Sequence, residues 1–447
     1  MNRRTFCTIP LAAAAMPGWT QEGAPHPDPG APKAALEHWK DLRFGMFVHW
    51  GPVSIVGTEI SWSRGGERRG RPETKTGNVP VEVYDNLYRM FNPVKFDPDQ
   101  WVQLARDAGM KYLVFTTKHH DGFCEFDSRL TDYKITSPQC PYGKDIVRML
   151  SDACRRGGIE WGVYYSQPDW HNPDYRNGAA HARYIEYLHG QVRELLSNYG
   201  PVHMWFFDGL GGTAADWDAG RLLATMRSLQ PDLIINNRAG LPADNDTPEQ
   251  RIGMFQDSRA WETCATVGTQ WSFKPDDTLR SLEECLHGLV CCAIGDGNFL
   301  FNVGPRPDGL IEPSHAARLR EMGEFLAKYG ESIYGTRGGP FVAPDEKKRP
   351  ANARGFALAE GNWWGGSTRK GNTIYLHILR WPSEEIALPA IGRKVVRHSV
   401  LSGGAASVKQ TERGIQISVA AAHRHPIDTI VKLELDGAAD MPAMRPA

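Results

Sequence analysis

Five short apolar runs in this sequence each end on residues able to do chemistry. Phe44–Val48 runs into His49-Trp50-Gly51, and Leu113–Thr117 into Lys118-His119-His120-Asp121-Gly122-Phe123. Val163–Tyr165 leads to Ser166 and then Asp169-Trp170. Met204–Phe207 stops at Asp208-Gly209, and Ile234-Ile235 at Asn236-Asn237-Arg238. Carboxylates and imidazoles move protons or attack as nucleophiles, and a guanidinium steadies negative charge. Packing alone does not call for His, Asp, Trp and Arg at successive strand ends.

The elements that must position these groups are legible around them. Strand-like runs are predicted at Phe44–Trp50, Tyr112–Thr117, Trp161–Tyr165, His203–Phe207, Leu233–Asn236 and Phe299–Val303. Amphipathic stretches lie between them: Ile185, Leu188, Val192, Leu195 and Tyr199 share one helical face, as do Leu319, Met322, Phe325, Leu326 and Tyr329. Gly157-Gly158, Gly200 and Gly330 stand where helices end. Strand–helix alternation over this length predicts an α/β fold, a (β/α)8-like TIM barrel, regular or irregular, whose C-terminal strand ends meet at one mouth. An open doubly wound sheet is disfavoured, because no G-x-G-x-x-G follows the first strand. Near residue 339 the period changes to two, in segments such as Thr373–Leu379 and Ile430–Leu435, which predicts a C-terminal antiparallel β-sandwich. The expected organisation is an export signal at 1–22, a linker at 23–34, the barrel at 35–337 and the sandwich at 338–440.

Bulk properties narrow the function classes. The 447 residues are 41% hydrophobic and 23% charged with a formal net charge of −1, so nothing favours nucleic acid or an anionic membrane surface. The 14 Trp suit both packing and the apolar face of a sugar ring. Arg3-Arg4 followed by the apolar run Ile9–Met16 reads as a bacterial export signal of the twin-arginine kind, too short to span a bilayer, and predicts a periplasmic or secreted protein. The eight Cys are irregularly spaced with no C-x-x-C, so buried thiols are expected, with no metal. No cofactor is expected. Trp363-Trp364 is either packing or a secondary sugar site in the C-terminal domain.

The stretches RFGMFVHWGPVS, GTEISWSRG, FNPVKFDPDQW, YLVFTTKHHDGFCEFDS, YYSQPDW, WFFDG, INNRAG, WETC with QWSF after it, and FNVGPRPDGLI occur in order over residues 43–312. Together they resemble the α-L-fucosidases of glycoside hydrolase family 29. The resemblance implies a barrel followed by a β-sandwich, and a retaining exo-glycosidase that removes terminal α-L-fucosyl groups from an oligosaccharide, glycoconjugate or polysaccharide. It places the nucleophile at Asp208 and the acid/base at Glu262. Glu59 is the rival for that second role, with Glu249 a further candidate. Sugar-binding positions implied are His49, Trp50, Glu59, Trp62, His119, His120, Arg238 and Trp271, with Tyr164 or Tyr165 beside the nucleophile. Two other readings are an α-L-galactosidase on the same scaffold and a sugar-binding protein without turnover. Linkage, natural glycan and oligomeric state stay open.

Overall fold

The computed structural model describes residues 30–71, 76–252, 255–342 and 363–445. The expected export signal and residues 23–29 of the linker lie outside them. The linker's last residues enter the helix Lys33–Leu42.

Eight strands form the barrel sheet: β1 (Phe44–Val48), β2 (Tyr112–Lys118), β3 (Glu160–Tyr165), β4 (Met204–Phe207), β5 (Ile234–Ile235), β6 (Asn245–Asp246), β7 (Ala260–Thr266) and β8 (Asn298–Val303). Their order is β5-β4-β3-β2-β1-β8-β7-β6, parallel throughout. The sheet closes between β5 and β6 through one bridge, Asn236 to Asn245. Side chains alternate across each strand. Phe47, Tyr112, Val114, Tyr164, Met204, Phe206, Cys264 and Leu300 fill the barrel, while Met46, Phe115, Val163, Tyr165, Trp205 and Phe207 pack outward among the helices. Those helices are held by local signals. Asp97 and Asp145 cap the helices Pro98–Asp107 and Ile146–Gly157 by accepting from backbone N–H groups, and Gly158 ends the second in a left-handed conformation, φ 67°.

β6 and β7 were not expected. β6 is too short to carry a pattern, and β7 is buried along its whole length, so its sequence shows no simple alternation. Beyond the barrel, β9 (Arg337–Gly338), β10 (Gly365–Lys370), β11 (Thr373–Ile378), β12 (Ile386–Leu388), β13 (Val395–Val400), β14 (Ala406–Thr411), β15 (Gly414–Val419) and β16 (Thr429–Leu435) form two antiparallel sheets, β13-β16-β11-β10-β9 and β12-β15-β14. Ile374, Leu376, Ile386, Ile417, Val431 and Leu433 pack between them.

The two halves share buried polar bonds. Asp296, just before β8, pairs with Arg43 (2.7 Å) and Lys40 (3.0 Å), and accepts from the backbone N–H of Gly338 (3.0 Å). Trp363 is buried with the barrel's core and Trp364 packs on the sandwich core, so this pair serves packing.

Candidate active site

The loops at the C-terminal strand ends enclose a pocket of about 500 Å3. His49 follows β1, His119 and His120 follow β2, Asp208 follows β4 and Arg238 sits in the turn after β5. All five line it, with Tyr164, Trp62, Trp271 and Glu249.

Asp208 is held at both oxygens. The Tyr164 hydroxyl donates to Oδ2 (2.9 Å) and Arg238 Nη1 donates to Oδ1 (3.1 Å). Tyr164 is therefore the tyrosine beside the carboxylate. Tyr165 points outward and donates to Gln191 (2.7 Å). Gly209 brings two strand ends together, since a Cβ there would sit 2.5 Å from the Arg238 carbonyl oxygen. The other arm of Arg238, Nη2, donates to Glu249 Oε2 (2.9 Å), so one guanidinium grips two pocket carboxylates. Burial opposes the arginine's charge, but Asp208 and Glu249 outweigh it and raise its pKa above the ordinary value.

Glu249 is carried by an irregular segment. Cys264 N–H donates to Pro248 O (3.0 Å) and Gln250 N–H donates to Cys264 O (2.8 Å), a lone parallel bridge against β7. Gln250 has φ 54°, a left-handed conformation that costs a non-glycine residue about 1 kcal/mol. The strain turns the chain so that Glu249 faces the pocket.

The three histidines are neutral near pH 7. Burial lowers His49 to about 4, against the raising effects of its bond to Asn302 and of Asp208. Burial, and then neighbouring cations and imidazoles, hold His119 and His120 well below the usual range. Asn302 donates to Trp271 O (2.7 Å), which turns its amide oxygen toward His49 Nδ1 (2.7 Å). His49 therefore carries its proton on Nδ1, and Nε2 is the acceptor. His119 Nδ1 pairs with Ser61 Oγ and His120 Nδ1 with Ser166 Oγ, both at 2.6 Å. A nitrogen each of His119 and His120 lies within 4.8 Å of an Asp208 oxygen, a spacing that a metal ion also uses. Arg238 on Asp208 supplies the positive charge there, and neutral donors and acceptors suit hydroxyl groups equally well.

Besides Tyr165, three expected positions lie outside this pocket. Glu262 is the third residue of β7 and pairs in register with Asn298, the first residue of β8, at the barrel's N-terminal end. It faces the barrel axis about 7 Å below Cys264, fully buried, and accepts from the Tyr112 hydroxyl. The resemblance of Trp261-Glu262-Thr263-Cys264 to a family segment carried no information on where along a strand Glu262 falls, and the register of β7 puts it at the far end from the pocket. Trp50 packs on Phe91, Phe96 and Trp101 and donates to Arg306 O (2.9 Å), so it is core. Glu59 accepts from the backbone N–H groups of Trp271 (2.9 Å), Ser272 (3.3 Å) and Ile60 (3.1 Å), behind the lining, where it fixes Trp271. Glu249, a minor candidate in the sequence, is the glutamate the fold brings to Asp208. Arg71, Cys264, Phe47 and Phe206 also line the pocket, although nothing in the sequence singled them out.

The α-L-fucosidase family model matches residues 21–331. This chain belongs to the α-L-fucosidase family. A tissue α-L-fucosidase of Mus musculus is 29% identical over 78% of this chain and 79% of its own. An α-L-fucosidase isoenzyme of Paenibacillus thiaminolyticus shares 34% identity with a TM-score of 0.76, covering 90% of this chain and 99% of its own. A family 29 α-L-fucosidase of Bacteroides thetaiotaomicron, captured as a covalent intermediate with 2-fluoro-fucosyl fluoride in a glutamate-to-glutamine mutant, is 26% identical with a TM-score of 0.75 and covers 91% and 98%. As an α-L-fucosidase family member the chain is a glycoside hydrolase. The α-L-fucosidase barrel expected from the sequence is the one observed. Among the described residues no helix is long and apolar enough to cross a membrane.

Proposed function

We propose that the protein is a retaining exo-α-L-fucosidase in which Asp208 is the nucleophile and Glu249 the acid/base. The observation that carries the reading is the Arg238 fork, which holds Asp208 and Glu249 at the mouth of one pocket while Glu262 is buried beneath it. A retaining glycosidase needs two carboxyl groups about 5–5.5 Å apart, on opposite sides of the anomeric carbon.

Asp208 attacks the anomeric carbon as Glu249 protonates the departing oxygen. The fucosyl ester that forms is then hydrolysed by water that Glu249 deprotonates. Tyr164 and Arg238 hold the nucleophile in place, and neutral His49, His119 and His120 bond the sugar's hydroxyls. Phe47, Phe206, Cys264 and Trp271 give the pocket an apolar wall for a C6 methyl group. That wall disfavours an α-L-galactoside only modestly, since an apolar pocket rejects an added hydroxyl by about 100-fold at most. The substrate is a fucosylated oligosaccharide, glycoconjugate or polysaccharide, and the N-terminal 22 residues direct the chain to the periplasm or outside. Cell fractionation of a tagged full-length chain tests the last point; cytoplasmic retention refutes it.

The deciding experiment is hydrolysis of p-nitrophenyl α-L-fucoside, with anomeric products followed by NMR. Asp208→Ala loses at least about 10³-fold in kcat and is partly rescued by azide as β-fucosyl azide. Glu249→Ala loses a comparable factor on glycans with poor leaving groups and much less on the aryl substrate. Full glycan activity in Glu249→Ala refutes its role, and first-formed product of inverted configuration refutes the mechanism.

A further inference from the structure

A second cleft, of about 510 Å3, opens among the loops that follow β1, β2 and β3, on the same end of the barrel as the pocket. Its wall includes Tyr88, Tyr133 and His171, and its polar lining includes Asp85, Asp132 and Gln139. The rings are arranged in layers. Tyr133 is buried and meets Tyr88 edge-on, with centroids 5.3 Å apart. His171 lies flat on Tyr133, with centroids 4.0 Å apart and planes 15° from parallel. His171 itself is exposed. One of its faces is covered by Tyr133, so the face that meets solvent is a flat, supported platform. A platform of this kind accepts the C–H face of a pyranose, and carboxylates and an amide around it suit vicinal hydroxyl groups.

The cleft is joined to the pocket through aromatic side chains. Trp62, which lines the pocket, packs edge-on against Trp170 (5.3 Å), and Trp170 is the residue before His171. The cleft's charges decide the ligand's sign. Asp85 and Asp132 face one cation, Arg89, and Asp85 is also bonded to Arg64 (2.6 Å). That balance gives a sulfated or carboxylated sugar no net attraction.

We propose that this cleft is a second carbohydrate-binding site, which takes a neutral sugar of the glycan that bears the scissile fucose. The proposal rests on the fucosidase reading for its substrate and on the cleft alone for its binding. Binding energy gained away from the reacting bond raises affinity for long substrates and leaves small ones untouched.

The test compares wild type with His171→Ala and Asp132→Ala, neither of which lines the catalytic pocket. Kinetics are measured on p-nitrophenyl α-L-fucoside and on neutral fucosylated oligosaccharides of the galactosyl-N-acetylglucosamine and xyloglucan series. Calorimetry follows the same oligosaccharides without fucose. The expected result is unchanged aryl-fucoside kinetics in both variants, a five- to twentyfold rise in KM on an oligosaccharide with kcat retained, and loss of fucose-free binding in His171→Ala. The proposal is overturned if wild type binds none of the fucose-free chains, or if both substrate types respond equally. A wild type that binds the fucose-free chains but hydrolyses no fucoside refutes the fucosidase reading and leaves the binding site standing.

Discussion

At the residue scale, the telling contrast is between two glutamates thirteen positions apart. Glu262 sits in the barrel interior, where burial pushes its carboxyl up to about 8, only partly offset by the Tyr112 hydroxyl. Its folded pKa is above the unfolded value, so the stabilising proton is fully present below about 4.5 and is lost as pH rises through about 8. Glu262→Gln keeps the shape without the ionisation. Thermal melts between pH 5 and 9 should show wild type losing stability toward alkaline pH, by an amount of order a few kcal/mol, while the variant's curve is flatter over the same interval. Parallel curves refute the assignment. Activity separates the two glutamates as well. On oligosaccharides with poor leaving groups, Glu262→Gln retains kcat within about tenfold, whereas Glu249→Gln loses about 10²–10⁴-fold, the usual span for a general acid.

At the element scale, close approach of two strand ends sets the pocket. Gly209→Ala would force its new methyl against the Arg238 carbonyl, at 2.5 Å. The turn carrying Arg238 must then shift, costing about 1–3 kcal/mol of stability and displacing the guanidinium from Asp208. Denaturant unfolding and kcat/KM should fall together; a stable, fully active variant refutes the account. Gln250→Gly would relieve left-handed strain of about 1 kcal/mol but give up the side chain's bonds to Thr266 (3.1 Å) and Arg280 (3.3 Å), so denaturant unfolding should show no net gain in stability. What was readable in the sequence follows the same physics. Strands ending on His, Asp and Arg announced the mouth, because a run of buried apolar residues that stops at a charged group marks its own end. Glu249 gave no such signal. It is delivered by a strained bridge onto β7, a strand whose uniform burial hid it. Tyr164 and Tyr165 could be told apart only once β3 had a register, since neighbouring residues face opposite sides.

At the scale of the whole molecule, barrel and sandwich are bound through Asp296. Burial opposes its charge, but Arg43 and Lys40 hold its pKa below the ordinary range. Removing it takes the carboxylate from Arg43, which keeps the Gly297 and Thr336 carbonyls, leaves Lys40 only the more distant Glu37 (4.0 Å) and removes the acceptor of the Gly338 N–H, so Asp296→Ala should cost about 3–5 kcal/mol. Calorimetry on the full chain should show the loss. A melting temperature unchanged by the substitution refutes the coupling.

The closure between β5 and β6 has a mechanical consequence. Asp208 belongs to the β4 side of that closure and Glu249 to the β6 side, and the sheet there is stitched by the single Asn236–Asn245 bridge. The separation of the two carboxylates is thus set across this joint, and the Arg238 side chain is a clasp that spans it beside the bonds of Ile235 and Arg227 to Asp244 and of Asn237 to Asp246. Were the clasp weakened, as in Arg238→Lys, this joint would loosen while the bonds through Asp244 and Asp246 keep it closed. Amide hydrogens of residues 234–250 would then exchange faster, while those of β1, β2 and β8 on the far side keep their protection.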